Sequence, residues 1–496
     1  MRKKLIKQVP ISILFLLLLA ALMRFAYLPD KISFLYDQGR DALIVKNMIE
    51  EGKFTLIGPG TDIPGVFHGA LHYYLLLPGY FLSRGHPLGA LSLYILFNVA
   101  AVYLIYLLGY RLFNKQTGVI AGILMATSYG AIAYSRWLSN PSPTPFFMIL
   151  LIYSLYKLTQ KDERFFILLA LCWAIIFHAE VVAALFFLPT ILLVFILAKI
   201  KRPRVKTLIA GCLTTGFTLS SYLFFELRHS FLITKSAYQF LIKGANITFS
   251  LNGRIPLYFL EEFEFIVTTS HLKFAVVLFL AAFAFLLFRL VTVKRKQERI
   301  SAFILVSWLI GTPLALSFYS HSLHHHFLIG LGPGMILLVS YFLAFLLKRG
   351  FFWRFLAFGI LILVLVNNLF LWKTVLPENR FIRFYGAQQG VTLGDQKKVV
   401  DFIYQDARGE KFRYEALGLP YFLNHAWEYL FSWYGQRRYG YAPEKDDVDL
   451  VYYLVERDII DPPFEKNWLE EKKKVVDFVS QTEVEAITVI KAKRHN

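Results

Sequence analysis

Apolar stretches near the length of a bilayer's hydrocarbon core recur through the first three quarters of this 496-residue chain, and they leave few folds open to it. A helix crossing roughly 30 Å of hydrocarbon needs about 20 mostly apolar residues. The runs at 9–28, 87–110, 117–135, 142–158, 164–179, 181–199, 206–224, 272–290, 300–318, 326–347 and 352–372 answer that need. The fifth and sixth meet at His178-Ala179-Glu180 with almost no loop, so they form two spans or one broken element. With 56% hydrophobic and 17% aromatic residues, the chain has more apolar surface than one soluble core can bury. The reading is an α-helical polytopic membrane protein of about eleven transmembrane helices.

The formal charge of +19 does not indicate nucleic acid, because the Lys and Arg lie in short tracts between apolar runs and not on one polar domain. Arg111/Lys115, Lys157/Lys161/Arg164, the tract Lys199 to Lys206, Lys294 to Arg299 and Lys348/Arg349/Arg354 all fall on the side of the N-terminal Lys/Arg cluster. The N-terminus is therefore expected in the cytoplasm of a multi-pass plasma-membrane protein. No small-residue cleavage pattern follows Leu22, so the first run reads as an uncleaved span. Cys172 and Cys212 both lie within apolar runs and suggest neither a disulfide nor a thiolate metal site.

Composition changes after Trp372. Residues 376–496 lack a spanning run and read as a small extracytoplasmic α/β domain appended to a membrane domain of residues 1–375. Within it, Val399 to Tyr404 reads as a short strand or helix, Asp449 to Val455 as a strand, Glu470 to Phe478 as a helix, and Ala486 to Ile490 as a last strand. Asn246-Ile247-Thr248 matches a glycosylation sequon.

Residues 29–86 are too long for a mere connection between spans. Ile44, Val45, Met48 and Ile49 recur at helical spacing opposite polar residues, the pattern of a helix lying in the interface. If that helix begins near Asp37, then Asp37 and Asp41 share a face, and Asp37 is suited either to cap the N-terminus or to act as a base. The second half, Gly58-Pro59-Gly60-Thr61-Asp62 through Gly65-Val66-Phe67-His68-Gly69-Ala70-Leu71-His72-Tyr73-Tyr74, has the glycine density of backbone held close to something. His68 and His72 would lie on one face of a following helix, placed for a phosphate oxygen or a metal, or simply as interfacial polar residues.

An Asp shortly after the first span, an interfacial helix, a Gly-Pro element and His68-Gly69-Ala70-Leu71-His72-Tyr73-Tyr74 opening a second helix resemble the GT-C glycosyltransferases, in particular the protein O-mannosyltransferases and lipid A aminoarabinose transferases. The resemblance is clearest over residues 1–190. It departs from the pattern where Gln38 follows Asp37 in place of a frequent Glu, and where His68-Gly69-Ala70 stands in place of the acidic residue and Lys-Pro-Pro of the aminoarabinose transferases.

The resemblance implies an inverting transfer of sugar from a polyprenyl-phosphate donor to a lipid, glycan or protein acceptor on the outer face of the membrane. Asp37 would be the general base, with Asp41 beside it. Cationic or metal-bound groups must then face the leaving phosphate. Arg136, whose fork suits phosphate, and His68, His72, His178, Arg228 and the cluster His321, His324, His325 and His326 are the candidates for that role. Asp62, Tyr74, Asn140 and Glu180 would line the substrate, and His321 and His325, four residues apart, would suit a divalent metal ion. A transporter or flippase of lipid-linked sugars is disfavoured because the chain shows no repeated halves. A polymerase or ligase of lipid-linked glycans would want an arginine-rich late outer loop, and 225–271 holds only Arg228 and Arg254. The Lys/Arg asymmetry predicts that reporters fused after Arg202 and Lys296 report cytoplasm and one fused after Gly390 reports the outside; a cytoplasmic signal at Gly390 contradicts the topology.

Overall fold

The computed structural model describes residues 11–243, 254–319, 324–378, 391–418, 423–456 and 462–495. Each expected span is met by a helix. Single helices occupy Ile11–Phe25, Pro87–Leu112, Thr144–Thr159, Phe165–Ala179, Val181–Leu197, Leu272–Thr292, Lys296–Leu316 and Phe351–Thr374, and the 3-10 turn His325–Leu331 runs into Gly332–Leu346. The remaining two spans are bent: Lys115–Thr127 meets Tyr129–Ser135 at 60°, and Val205–Thr218 meets Ser220–Arg228 at 59°. Among the described residues five helices are long and apolar enough to cross a membrane, or seven if each bent pair is one span, and four further apolar helices are shorter. The stretch 164–199 resolves into two helices that break at Glu180, which has extended backbone.

A bend in an apolar helix strands backbone carbonyls where water cannot satisfy them. Arg24 answers the first bend: its guanidinium donates to Ala126 O at 3.2 Å and Met125 O at 3.0 Å, the last carbonyls before the break. Ser128 Oγ accepts from Ala131 N–H and donates to Ile266 O. Asn368 Oδ1 accepts from Tyr129 N–H, while its amide donates to Val267 O and Val364 O. The first span, the last span and the π-helical turn Glu264–Thr268 are thereby pinned to one kink. The second bend is served by His178, whose Nε2 lies 2.7 Å from Thr218 O, the carbonyl that ends Val205–Thr218.

The first loop, residues 29–86, is an ordered platform. Helix Tyr36–Glu51 ends at Gly52 in the left-handed region (φ 66°), strands β1 (Ile57–Gly60) and β2 (Phe67–Gly69) pair antiparallel, and helix Leu71–Leu82 follows. The N-cap is Leu35, its N–H satisfied by Gln38 Oε1 at 3.0 Å, so Asp37 lies in the first turn and does not serve as the cap.

The C-terminal part rests on this platform. Its sheet has the order β3-β4-β6-β5, with β3 (Phe412–Leu417) parallel to β4 (Leu450–Glu456), and β5 (Val476–Val484) and β6 (Ile487–Arg494) completing it antiparallel. Alternation along β4 splits its residues. Leu450, Tyr452 and Leu454 join a core shared with Phe34, Val45, Met48 and Tyr80 of the first loop, whereas Val451, Tyr453 and Val455 pack under helix Pro462–Lys473. Leu393 N–H donates to Ile32 O and Gln396 to Phe34 O. Gly39 meets the backbone of His425 and Ala426, where a Cβ would lie 2.2 Å from Ala426 N. The first loop and the C-terminal domain thus share one face of the protein, as the topology requires.

Several expectations shift. Val399 to Tyr404 is helical, within Leu393–Ala407; the expected helix at Glu470 to Phe478 ends at Lys473, and strand β5 takes up the chain from Val476. The sequon at Asn246 and the reporter position Gly390 lie outside the described residues.

Arg136 also has a structural partner set. Its guanidinium donates to Ala26 O and to Lys31 O at 3.1 Å, tying the turn after the first kink to the chain leaving the first span. A lysine ammonium cannot span both carbonyls. Arg136→Lys is therefore expected to cost about 2 kcal/mol of stability, read by thermal unfolding, while affinity for polyprenyl phosphate is unchanged; a weakened affinity at unaltered stability would return Arg136 to the phosphate.

Candidate active site

Asp41, Arg40 and His72 form a buried knot within the first loop. Asp41 is 2% exposed. Arg40 reaches its Oδ1 through Nε at 2.9 Å and Nη2 at 2.8 Å, and His72 Nε2–H donates to its Oδ2 at 2.8 Å. The other ring nitrogen of His72 lies 2.7 Å from the hydroxyl of Tyr94, on the span Pro87–Leu112. Burial pushes the Asp41 carboxyl up, but the charges and hydrogen bonds of His72 and Arg40 outweigh it and hold the group below the usual carboxylate value.

The remaining arm of Arg40 reaches Asp37: Nη1 to Oδ1 is 2.8 Å. Asp37 is set differently from Asp41, for it is only partly buried and faces a cavity of about 300 Å³. Burial raises its carboxyl above the ordinary value of 3.8, and the nearby Asp41 charge adds to this, while Arg40 opposes it. Two carboxylates one turn apart are thus sorted by environment into one locked as an ion and one adjusted towards accepting a proton.

The cavity gathers residues distant in sequence. Asp37, Arg40, Asp62, His68, Asn140 and Glu180 line it, with Trp137, Tyr319, His324 and His326. Asp62 accepts from His324 Nε2–H at 2.7 Å, and Glu180 faces His326 Nε2 at 3.4 Å. The Asn140 amide donates to Ala179 O, holding the turn after the first kink against the break at Glu180. His68, on β2, is buried with no partner for Nδ1, and burial pushes its imidazole down to about 3, so it is neutral. The backbone behind it explains the glycine: a Cβ on Gly69 would collide with the His178 ring at 1.6 Å.

Other expected site residues stand elsewhere. Asp41 and His72 are buried in the knot, Arg136 and His178 serve backbone carbonyls, and the Tyr74 hydroxyl donates to Thr55 O while its ring stacks on Phe54 at 6.3 Å. His321 lies outside the described residues. His325 faces Glu261 at 3.6 Å and Tyr258, away from Asp37. Among the described residues no three His, Cys, Asp or Glu side chains converge as a metal site would require, since His324, His325 and His326 each face a different carboxylate. The described donor set therefore does not fit a metal ion. Arg40, like Trp137 and Tyr319, is a cavity residue the sequence did not single out, although its position three after Asp37 and one before Asp41 placed it to pair with both.

Residues 68–224 match the sequence family described as dolichyl-phosphate-mannose-protein mannosyltransferase. No curated protein matches the chain by sequence. Among solved structures, ArnT from Cupriavidus metallidurans bound to undecaprenyl phosphate superposes with a TM-score of 0.59 at 12% identity, over 97% of both chains. The oligosaccharyltransferase of Archaeoglobus fulgidus in its apo form aligns with a TM-score of 0.51 at 12% identity, over 80% of this chain and 58% of that one. AglB from Archaeoglobus fulgidus, in complex with an inhibitory peptide and a dolichol-phosphate, gives 0.50 at 11% identity, over 89% and 69%. At these identities the likeness shows the fold alone, a helical bundle with a C-terminal domain arranged as in ArnT.

Proposed function

We propose that the protein is a membrane glycosyltransferase that moves a sugar, with inversion, from a polyprenyl-phosphate donor to an acceptor hydroxyl on a lipid, glycan or protein at the outer face of the membrane. The observation that carries this reading is the sorting of the paired carboxylates Asp37 and Asp41: of the two, Asp37 lines the cavity, with its proton affinity raised by burial, while Asp41 is held within the knot. That solved relatives of the same fold hold undecaprenyl phosphate or a dolichol-phosphate supports the donor class.

The acceptor oxygen attacks the anomeric carbon from the side opposite the phosphate and its proton passes to an Asp37 oxygen. The bond from the anomeric carbon to the phosphate oxygen breaks, and polyprenyl phosphate leaves with the electron pair. Arg40 holds Asp37 in place, and its own donors are largely engaged by the two carboxylates. Negative charge developing on the leaving phosphate therefore falls to His324 and His326, whose rings stack at 5.2 Å beside Trp137 in the cavity wall. One displacement needs one base, which is why inversion is the expected outcome.

Asp37→Asn preserves size and can still meet Arg40, but cannot take the proton, so transfer should fall by about 10² or more with unchanged thermal unfolding; near-normal turnover would sink the assignment. The acidic limb of the kcat/KM profile should lie above 3.8. Because Arg40 lowers the Asp37 value, Arg40→Gln should move that limb to higher pH, and a shift to lower pH would contradict the pairing.

A further inference from the structure

Glu180 is a cavity residue whose carboxyl the described residues leave without a well-formed hydrogen bond. It is 1% exposed at the break between two apolar helices, and neither carboxyl oxygen accepts a well-formed hydrogen bond. Val182 N–H lies nearby, and His326 Nε2 stands at 3.4 Å. His68, in the same cavity wall, is also buried with Nδ1 unmatched. A buried carboxyl whose oxygens accept no well-formed hydrogen bond costs free energy that an apolar side chain of similar length would avoid. A structural role does not explain such a group, whereas a ligand bringing hydrogen-bond donors does.

The chemistry of that ligand is constrained. A phosphate diester brings no hydrogen-bond donor to Glu180, and the acceptor hydroxyl is claimed by Asp37, so neither completes Glu180. A pair of neighbouring hydroxyls does, because each can donate to one carboxyl oxygen while accepting from an imidazole. Building on the glycosyltransferase reading, we infer that Glu180, together with His68, is the sugar-recognition end of the cavity and selects donors whose ring carries two adjacent free hydroxyls. Glu180 is then a specificity determinant, distinct from the proton-accepting Asp37.

The test is equilibrium binding to the full chain in nanodiscs, using polyprenyl phosphate alone, its mannose, glucose and xylose conjugates, and monodeoxy forms of whichever conjugate binds tightest. Glu180→Met keeps side-chain length, removes hydrogen bonding and suits burial, so the fold should survive. The variant should lose about tenfold or more in affinity for the sugar conjugate and none for polyprenyl phosphate alone. Removing either of two adjacent hydroxyls should weaken binding to the wild type, yet cost the variant nothing further. Equal losses for conjugate and bare lipid, or deoxy penalties that persist in the variant, overturn the assignment of Glu180. So does a wild type that binds the bare lipid but no conjugate more tightly. A wild type that binds none of these lipids overturns the glycosyltransferase reading and this inference together.

Discussion

The hydrogen bond between Asp41 and His72 is the contact on which the face of the protein carrying the first loop depends. A carboxylate at 2% exposure is affordable only when its charge and lone pairs are met, and removing one partner of such a pair costs about 3–5 kcal/mol. Here the pair joins three elements, because Asp41 belongs to the interfacial helix, His72 to the helix after β2, and Tyr94, behind His72, to a membrane span. Arg40 completes the knot and extends it to Asp37. The position of the cavity-facing carboxylate is therefore inherited from a buried one that has no access to substrate.

The same logic recurs deeper in the bundle. Two spans are bent, and each bend is made tolerable by a polar side chain brought from elsewhere, Arg24 with Asn368 at one and His178 at the other. The bends have a purpose in the architecture. The first delivers the turn at Trp137 and Asn140 to the cavity wall, and the break at Glu180 supplies the wall beside it. Ionisable groups at membrane depth are costly and commonly functional; in this chain several of them act by permitting irregular backbone near the site.

Much of this was legible in the sequence, because hydrophobic length is a direct consequence of bilayer thickness. Spans from Pro87 to Thr374 fall within a few residues of expectation, and the amphipathic pattern at Ile44, Val45, Met48 and Ile49 marks a real helix. The cavity was partly legible too, through Asp37, Asp62, His68, Asn140 and Glu180. What the sequence could not reveal was which way a polar side chain turns. Arg136 and His178 carry the right chemistry for a phosphate, but the carbonyls they satisfy exist only because of kinks and chain reversals that hydropathy does not encode. Asp41 and Asp37 are equivalent by spacing; burial against His72 separates them, and that contact spans 31 positions. The helix at His425–Leu430 was missed because its apolar residues are satisfied by the first loop, a partner far away in sequence, and the short strand β3 because its Phe412 is packed by Tyr404, Phe431 and Tyr452 of other elements of the C-terminal part.

The account stands or falls on where a lipid-linked donor rests. A structure of the full chain with a non-transferable polyprenyl-phosphate sugar measures this directly. The sugar and phosphate are predicted to fill the cavity of about 300 Å³, with the anomeric carbon beside Asp37, the phosphate against His324 and His326, and the prenyl chain leaving between the apolar helices. Density for the headgroup in the cleft among Arg111, Tyr156 and Gln297 instead, with the Asp37 cavity empty, would contradict it.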